Sequence, residues 1–329
     1  MRKALSSLVA TLALSIFPGC DQVSPSGKPL RIGIETWAGY GFAYLAQDKG
    51  FYEKHGVEVE LVFAEDSETS RERFAHREIE GWFDVLPEAV TGHASGIPAR
   101  VVWVVDYSDS ADVLVGEAAI TNVKDLAGKK IGIEGVNTFS HMFAIELLGK
   151  HGVPEEMIQF EIVNPMDVHE ALEEGKIAAG HTWEPITTDA LASGYHVIGK
   201  AGEIPGCITD VLFMNPTAIA ERPEEIQAVV AALAEAVDYW KANPAESLEI
   251  MAAHEKMTAE QLAADLGGLH ILDRADNRDA MLSKGSQNCV YRATSRIIDF
   301  FSDRGQLVSR PEADQLIEPR FVRALTAPQ

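Results

Sequence analysis

The chain has 329 residues and a mass of 35.8 kDa, enough for two domains, or one large one, with a core that needs no disulfide support. Its 28 basic side chains stand against 50 acidic ones, and a formal charge of −22 excludes nucleic acid and polybasic membrane docking. With 46% hydrophobic residues, 26 Gly and 15 Pro, wholesale disorder and coiled coil are excluded as well.

Residues 1–20 read as a secretory signal: Arg2 and Lys3 make a basic start, Leu8 to Phe17 is mostly apolar, and Pro18-Gly19-Cys20 closes the segment. The run is too short to span a bilayer, which takes about 20 apolar residues. A small residue immediately before a cysteine resembles the lipobox of bacterial lipoproteins, which implies lipidation at Cys20; Phe17 and Pro18 depart from that pattern, and an ordinary export signal is the alternative. Either way the expected location is periplasmic or extracytoplasmic, with membrane contact only through a lipid anchor. Residues 21–28, rich in Ser and Pro, are expected to be a tether. Export allows Cys207 and Cys289 to form a disulfide, although two separate buried thiols fit the sequence equally. No C-x-x-C or H-E-x-x-H occurs, so no metal site is expected.

Beyond the tether, strand and helix patterns alternate. Leu30 to Glu35, Val57 to Phe63, Trp82 to Leu86, Val101 to Val105, Val113 to Gly116, Lys130 to Glu134, Ile158 to Val163 and Ile177 to Thr182 are β-rich runs. Between them Phe42 to His55, Ser70 to Glu80, Phe139 to His151 and Val168 to Glu174 have helical composition, the last two closed by Gly152 and Gly175. Pro223 to Asn243, Thr258 to Leu266 and Tyr291 to Asp303 read as helices, so the last third is mostly helical. The alternation predicts an α/β protein with open parallel sheets and helices on both faces. Gly39-Tyr40-Gly41 opens a helix after a strand, as a dinucleotide fingerprint would, but Tyr44 occupies the third glycine position, and no cofactor is expected.

Ile34 to Tyr40, Ala46-x-x-Lys49-Gly50-Phe51-Tyr52, Val57 to Val62, Asp84 with its following loop, Asp106 to Asp112, Val123 to Gly132, Gly135 to Ser140, Trp183-Glu184-Pro185 and Thr209 to Asn215 come in an order that resembles a known family. It is the nitrate, sulfonate, taurine and bicarbonate class of ABC-transporter solute-binding proteins, the NMT1/THI5-like group. The resemblance implies a two-lobed, type II-like periplasmic-binding-protein fold, with two open mixed sheets flanked by helices and joined by two crossing strands. Lobe 1 would be 29–115 plus 210–318, lobe 2 would be 116–209, and 319–329 would be a C-terminal tail. It also implies a monomer that closes on a small-molecule ligand and delivers it to an ABC permease in the inner membrane.

In open α/β sheets, ligands sit beyond the carboxyl ends of the strands. The loops so placed are Trp37 to Gly41, Leu86 to Thr91, Asp106 to Asp109, Gly135 to Ser140, Thr182 to Pro185 and Cys207 to Asp210, and none contains Lys or Arg. A site for a dianion would normally set arginine or lysine against it. These loops instead carry Glu88, Asp106, Asp109, Glu184 and Asp210, with Glu35 and Glu134 beside them and Trp37, Tyr40, Tyr107, Phe139 and Trp183 as aromatic faces. That chemistry favours an amine, an amine-bearing zwitterion such as taurine, or a nitrogen heterocycle. Trp37 and Trp183 are expected to stack on the ligand, one from each lobe. Tyr40 would add a hydroxyl, Glu184 would meet a ligand nitrogen, and Asp210 would serve at the hinge or as an acceptor behind the residues that touch the ligand. Gly39, Glu88 and Asp106 complete the first-lobe candidates, and Asn137, Thr138 and Ser140 open a helix where they either cap it or hold an anion. A sensor receptor that uses the same site, or a nitrate or sulfonate binder, is the alternative. An enzyme like the related pyrimidine synthases is disfavoured, because that family's cysteine cluster is absent.

Overall fold

Two sheets organise the chain in the computed structural model, which describes residues 27–286 and 288–325. The expected signal, Cys20 and all but the last two residues of the tether fall outside the described residues. In chain order the strands are β1 (Leu30–Ile34), β2 (Val59–Phe63), β3 (Gly81–Val85), β4 (Arg100–Ser108), β5 (Val113–Gly116), β6 (Lys130–Ile133), β7 (Gln159–Ile162), β8 (Ala179–Thr182), β9 (His196–Lys200), β10 (Thr209–Met214) and β11 (Leu269–Ile271). They form a six-stranded sheet, β11-β4-β10-β3-β1-β2, and a five-stranded sheet, β7-β6-β8-β5-β9.

Each sheet is parallel where successive strand-helix units built it and antiparallel where the chain crosses over. β1 runs parallel to β2 and β3, and β10 antiparallel to β3 and β4. The second sheet repeats the plan, with β6 parallel to β7 and β8 and β5 antiparallel to β8 and β9. The sheets are therefore mixed, not parallel as the strand-helix alternation alone predicts. The chain leaves the first sheet after Ser108 and returns to it at Thr209. The lobe limit expected at residue 115 moves ahead of Val113, because β5 is hydrogen-bonded on both sides within the second sheet.

The apolar runs explain the core. β3 is buried along its whole length, and Leu30, Ile32, Ile34, Val102, Trp103 and Leu212 are shielded with it. Each such side chain contributes about 1.5–3 kcal/mol on burial. In the helix Val290–Asp303 the buried positions Val290, Ala293, Thr294, Ile297, Ile298 and Phe301 recur at the three- and four-residue spacing of one helical face. The expected helix 42–55 is broken into Gly41–Asp48 and Phe51–Lys54 by Gly50, whose φ of 68° suits a residue without Cβ.

Helices Pro244–Glu255 and Arg274–Leu282 go beyond the sequence reading. The second brings in Asn277, fully buried, whose Oδ1 accepts the Val104 N–H (2.9 Å) while Nδ2 donates to the Val104 carbonyl (2.9 Å). The side chain thus takes up the backbone groups of β4 just past the end of β11. Replacing Asn277 by Ala leaves both groups unpaired and should cost about 1–3 kcal/mol; a denaturation midpoint unchanged from the parent would contradict this. The expected tail 319–329 also needs correction, because Phe321 and Val322 are buried against the core.

Candidate functional site

A cleft of about 650 Å³ opens between the sheets at the ends of these strands. Trp37 and Tyr40 enter it from the loop after β1, Asp84 from the end of β3, Glu134 and Phe139 from the loop after β6, and Trp183 and Glu184 from the loop after β8. Asp112 comes from the outgoing crossover and Asp210 from the first turn of β10. Parallel strands end side by side at one edge, so residues far apart in sequence converge there.

The two lobes meet through aromatic rings. Trp37 and Trp183 stand edge to face with centroids 6.4 Å apart, and Phe139 lies 6.3 Å from Trp183. The Trp37 indole is held by its Nε1–H, which donates to Asp106 Oδ2 at 3.2 Å.

Beneath them lies a floor of buried carboxyl groups. Asp106 and Asp210 face each other across β4 and β10, and both are almost fully buried. Burial pushes the Asp106 carboxyl up to about 7, and it holds Asp210 well above the usual range, with Asp106 adding repulsion. Tyr40 donates its hydroxyl to Asp210 Oδ1 at 2.5 Å. Asp84 is likewise raised, first by burial and then by the nearby Glu35 charge. Asp112 Oδ1 is tied to His181 Nε2 at 3.1 Å, and His181 Nδ1 lies 2.9 Å from Ser140 Oγ, which accepts the Glu134 N–H. An ionised Asp112 can only accept, so the His181 Nε2–H points at it and Nδ1 is left to accept the Ser140 hydroxyl. Asp84 Oδ2, Asp112 Oδ2 and Asp210 Oδ2 have no hydrogen-bond partner among the described residues.

A second acidic group forms the rim. Glu255, Lys256 and Met257 sit between helices Pro244–Glu255 and Ala259–Gly267, with Asp265 on the latter. Burial raises Glu255 to about 8; Asp265 is raised to about 6 by burial and then by Glu184. Among the described residues, eleven acidic ones line the cleft against a single lysine, Lys256, whose Nζ lies 5.4 Å from the centre of the Phe63 ring. Glu255, Asp265 and Lys256 escaped the sequence reading because they belong to a helix-helix junction, not to a strand end. The Lys256 backbone, at φ 57°, marks the turn, but a lysine carries no turn signal in sequence.

Of the residues singled out from sequence, Trp37, Tyr40, Phe139, Trp183, Glu184 and Asp210 line the cleft together, with Glu35 and Glu134 beside them. Gly39, Glu88, Asp106, Tyr107, Asn137, Thr138 and Ser140 do not. Gly39 packs under the site, where an added Cβ would fall 2.0 Å from Asp106 Oδ2; Asp106 itself is fully buried behind Trp37. Glu88 is drawn away into an ion pair with Arg71. Thr138 caps the helix Phe139–Lys150, and Ser140 is buried under His181. Asn137 reaches across to the first lobe and accepts from Gln306 Nε2, next to a bidentate pair of Arg304 with Glu155, one contact of which is 2.8 Å. Tyr107 also lies elsewhere, donating its hydroxyl to the Asn288 carbonyl. Cys207 and Cys289 are separate buried thiols and form no disulfide, and burial pushes the Cys207 thiol up.

The family model described as NMT1/THI5 like matches residues 37–247, well over half of the chain. A protein of Brucella abortus named only as a binding protein is 26% identical over 271 residues, spanning 80% of this chain and 82% of that one. The 4-amino-5-hydroxymethyl-2-methylpyrimidine phosphate synthase of Aspergillus parasiticus is 26% identical over 63% of this chain and 64% of its own length. The periplasmic aliphatic sulphonate binding protein of Escherichia coli superposes with a TM-score of 0.75 at 19% identity, covering 92% of this chain and 96% of that one, which shows a shared periplasmic-binding-protein fold. By the match to its model, the chain belongs to the NMT1/THI5-like family.

Proposed function

We propose that the protein is an extracytoplasmic solute-binding protein of an ABC importer that captures a small nitrogen-bearing organic ligand: an amine, a zwitterion such as taurine, or a nitrogen heterocycle. The observation that carries this reading is the cleft wall, in which eleven acidic residues and the edge-to-face rings of Trp37 and Trp183 border the ligand space. Aromatic faces and desolvated carboxylates both attract positive nitrogen. A ligand touching Trp37 and Tyr40 on one side and Phe139 and Trp183 on the other stabilises the closed arrangement by contacts it cannot make when the lobes part. A membrane permease would read that closed shape, and a lipid on Cys20 would keep the protein near it as a monomer. Among the described residues, no helix is long and apolar enough to cross a membrane.

A thermal-shift screen of amines, zwitterions, heterocycles, nitrate and alkanesulfonates tests the reading. A nitrogenous ligand at a hundred times its Kd should add about 2.7 kcal/mol of stability. Stabilisation by nitrate or simple alkanesulfonates alone would refute it.

A further inference from the structure

Six of the eleven acidic side chains of the cleft form two groups, apart from Glu35, Glu65, Asp66, Glu134 and Asp189. The floor group holds Asp84, Asp112 and Asp210, each at least nine-tenths buried and each with a carboxylate oxygen that has no partner among the described residues. The rim group holds Glu184, Glu255 and Asp265, and Glu255, also buried, again has an unpartnered oxygen, Oε1. Within the floor Asp210 repels Asp84 and Asp112 repels Asp210; within the rim Asp265 repels Glu255 and Glu184 repels Asp265. Trp37 stands between the two groups, with its indole N–H on Asp106 at the floor and its backbone close enough to Glu255 at the rim to pull that carboxyl's pKa down against the effect of burial.

The cleft has little to hold a negative group. Its one lysine lies against the Phe63 ring. Three of the helix N-termini that open on it are capped from within: Asp66 accepts the Thr69 N–H, Thr138 accepts the His141 N–H, and Glu184 Oε2 accepts the Thr188 N–H at 3.1 Å. A terminus whose free N–H groups are taken by a side-chain oxygen offers less to an incoming anion, and two of these caps are themselves carboxylates. The helices Gly41–Asp48 and Leu86–Ala94 have no side-chain cap, but carboxylates stand at their entrances, Asp210 on the Tyr40 hydroxyl and Asp84 Oδ1 on the Val85 N–H at 2.6 Å.

We infer that the ligand is a two-ended organic dication, such as an aliphatic diamine, with one ammonium on the floor carboxylates, the other on the rim carboxylates, and its chain across the Trp37 and Trp183 rings. This rests on the solute-binding reading and narrows it, because a zwitterion or a single cation satisfies only one pole. The orphaned oxygens at both poles receive N–H donors when both ammonium groups are in place.

Calorimetric titration of the purified protein with three- to six-carbon α,ω-diamines, butylamine, 4-aminobutanoate, taurine, an alkanesulfonate and nitrate tests this. The best diamine should bind at least tenfold more tightly than butylamine or either zwitterion. Asp84→Asn at the floor, and Asp265→Asn or Glu184→Gln at the rim, should each bring it down to the monoamine level, with unfolding curves confirming that the variants fold. A monoamine or zwitterion that matches the best diamine, or pole variants without effect, would overturn this inference and leave the solute-binding reading standing. Binding confined to nitrate or the alkanesulfonate, or no binding by any nitrogenous compound, would overturn both.

Discussion

Trp183→Ala and Trp37→Ala should each weaken ligand binding by about thirtyfold or more while leaving a folded protein. A desolvated cation over an aromatic face is worth about 2 kcal/mol or more, and each 1.4 kcal/mol is a factor of about ten in Kd. The two substitutions differ in what else they remove. Trp183 contributes only ring contacts to Trp37, Phe139 and His181. Trp37 also donates to Asp106, so its loss strips a fully buried carboxyl group of a hydrogen bond. Trp37→Phe keeps an aromatic face and drops the donor, so it should recover most of the affinity and none of the Asp106 contact. Titration of the three variants checks this, and normal binding by both alanine variants would remove the cleft assignment.

The second large effect is on pH dependence, and its sign follows from burial. Asp106 at about 7, Glu255 at about 8, and the strongly raised Asp84 and Asp210 hold protons in the folded state that unfolded carboxyls lose near pH 4. The folded form without ligand therefore binds more protons than the unfolded form, and its stability falls as pH rises through these values. His141 works in the opposite direction: burial lowers it, so the stability it protects is lost below about pH 6.5. Between pH 6.5 and 8.5 the carboxyls act alone, and the melting temperature should drop by roughly 5–10 °C, given about 2–4 °C per kcal/mol. A cationic ligand needs Asp84, Asp210 and Glu255 ionised, so its affinity should rise over the same interval by up to about tenfold per pH unit for each proton displaced. Melting curves with and without ligand report both trends; a ligand-free midpoint that is flat or rises with pH would contradict them.

The aromatic wall of the cleft was legible because strand ends announce themselves, and a β-rich run followed by Trp37 or Trp183 places those residues at the sheet edge. Of the floor, Asp210 was legible at a loop joining the lobes, whereas Asp84 and Asp112 were not singled out, because nothing in sequence distinguishes a buried strand-end carboxylate from an exposed one. The rim was hidden as well. Glu255 and Asp265 lie in segments rich in alanine and acids, where a carboxylate on the solvent face and one turned into a cleft look alike in sequence. Glu88 shows the converse failure, since its position at the start of a strand-end helix is right but Arg71, on a neighbouring helix, claims it. Ser140 and Asp106 sit one layer too deep, and depth is set by tertiary packing rather than by position along the chain.

The bridge made by Arg304 with Glu155, and by Gln306 with Asn137, lies outside the cleft and is partly open to solvent, with Arg304 25% and Glu155 34% exposed. It joins the lobes without touching the ligand space, so it lengthens the time a captured molecule stays inside whatever that molecule is. Because half of the bridge is a partly solvent-accessible ion pair, added salt weakens it, though only in part, since the contact is far shorter than the Debye length of about 8 Å at 0.15 M. On the proposed solute-binding reading, salt should thereby act on residence time at a point remote from the ligand, and a more saline medium is expected to quicken release even where the contacts inside the cleft are unchanged.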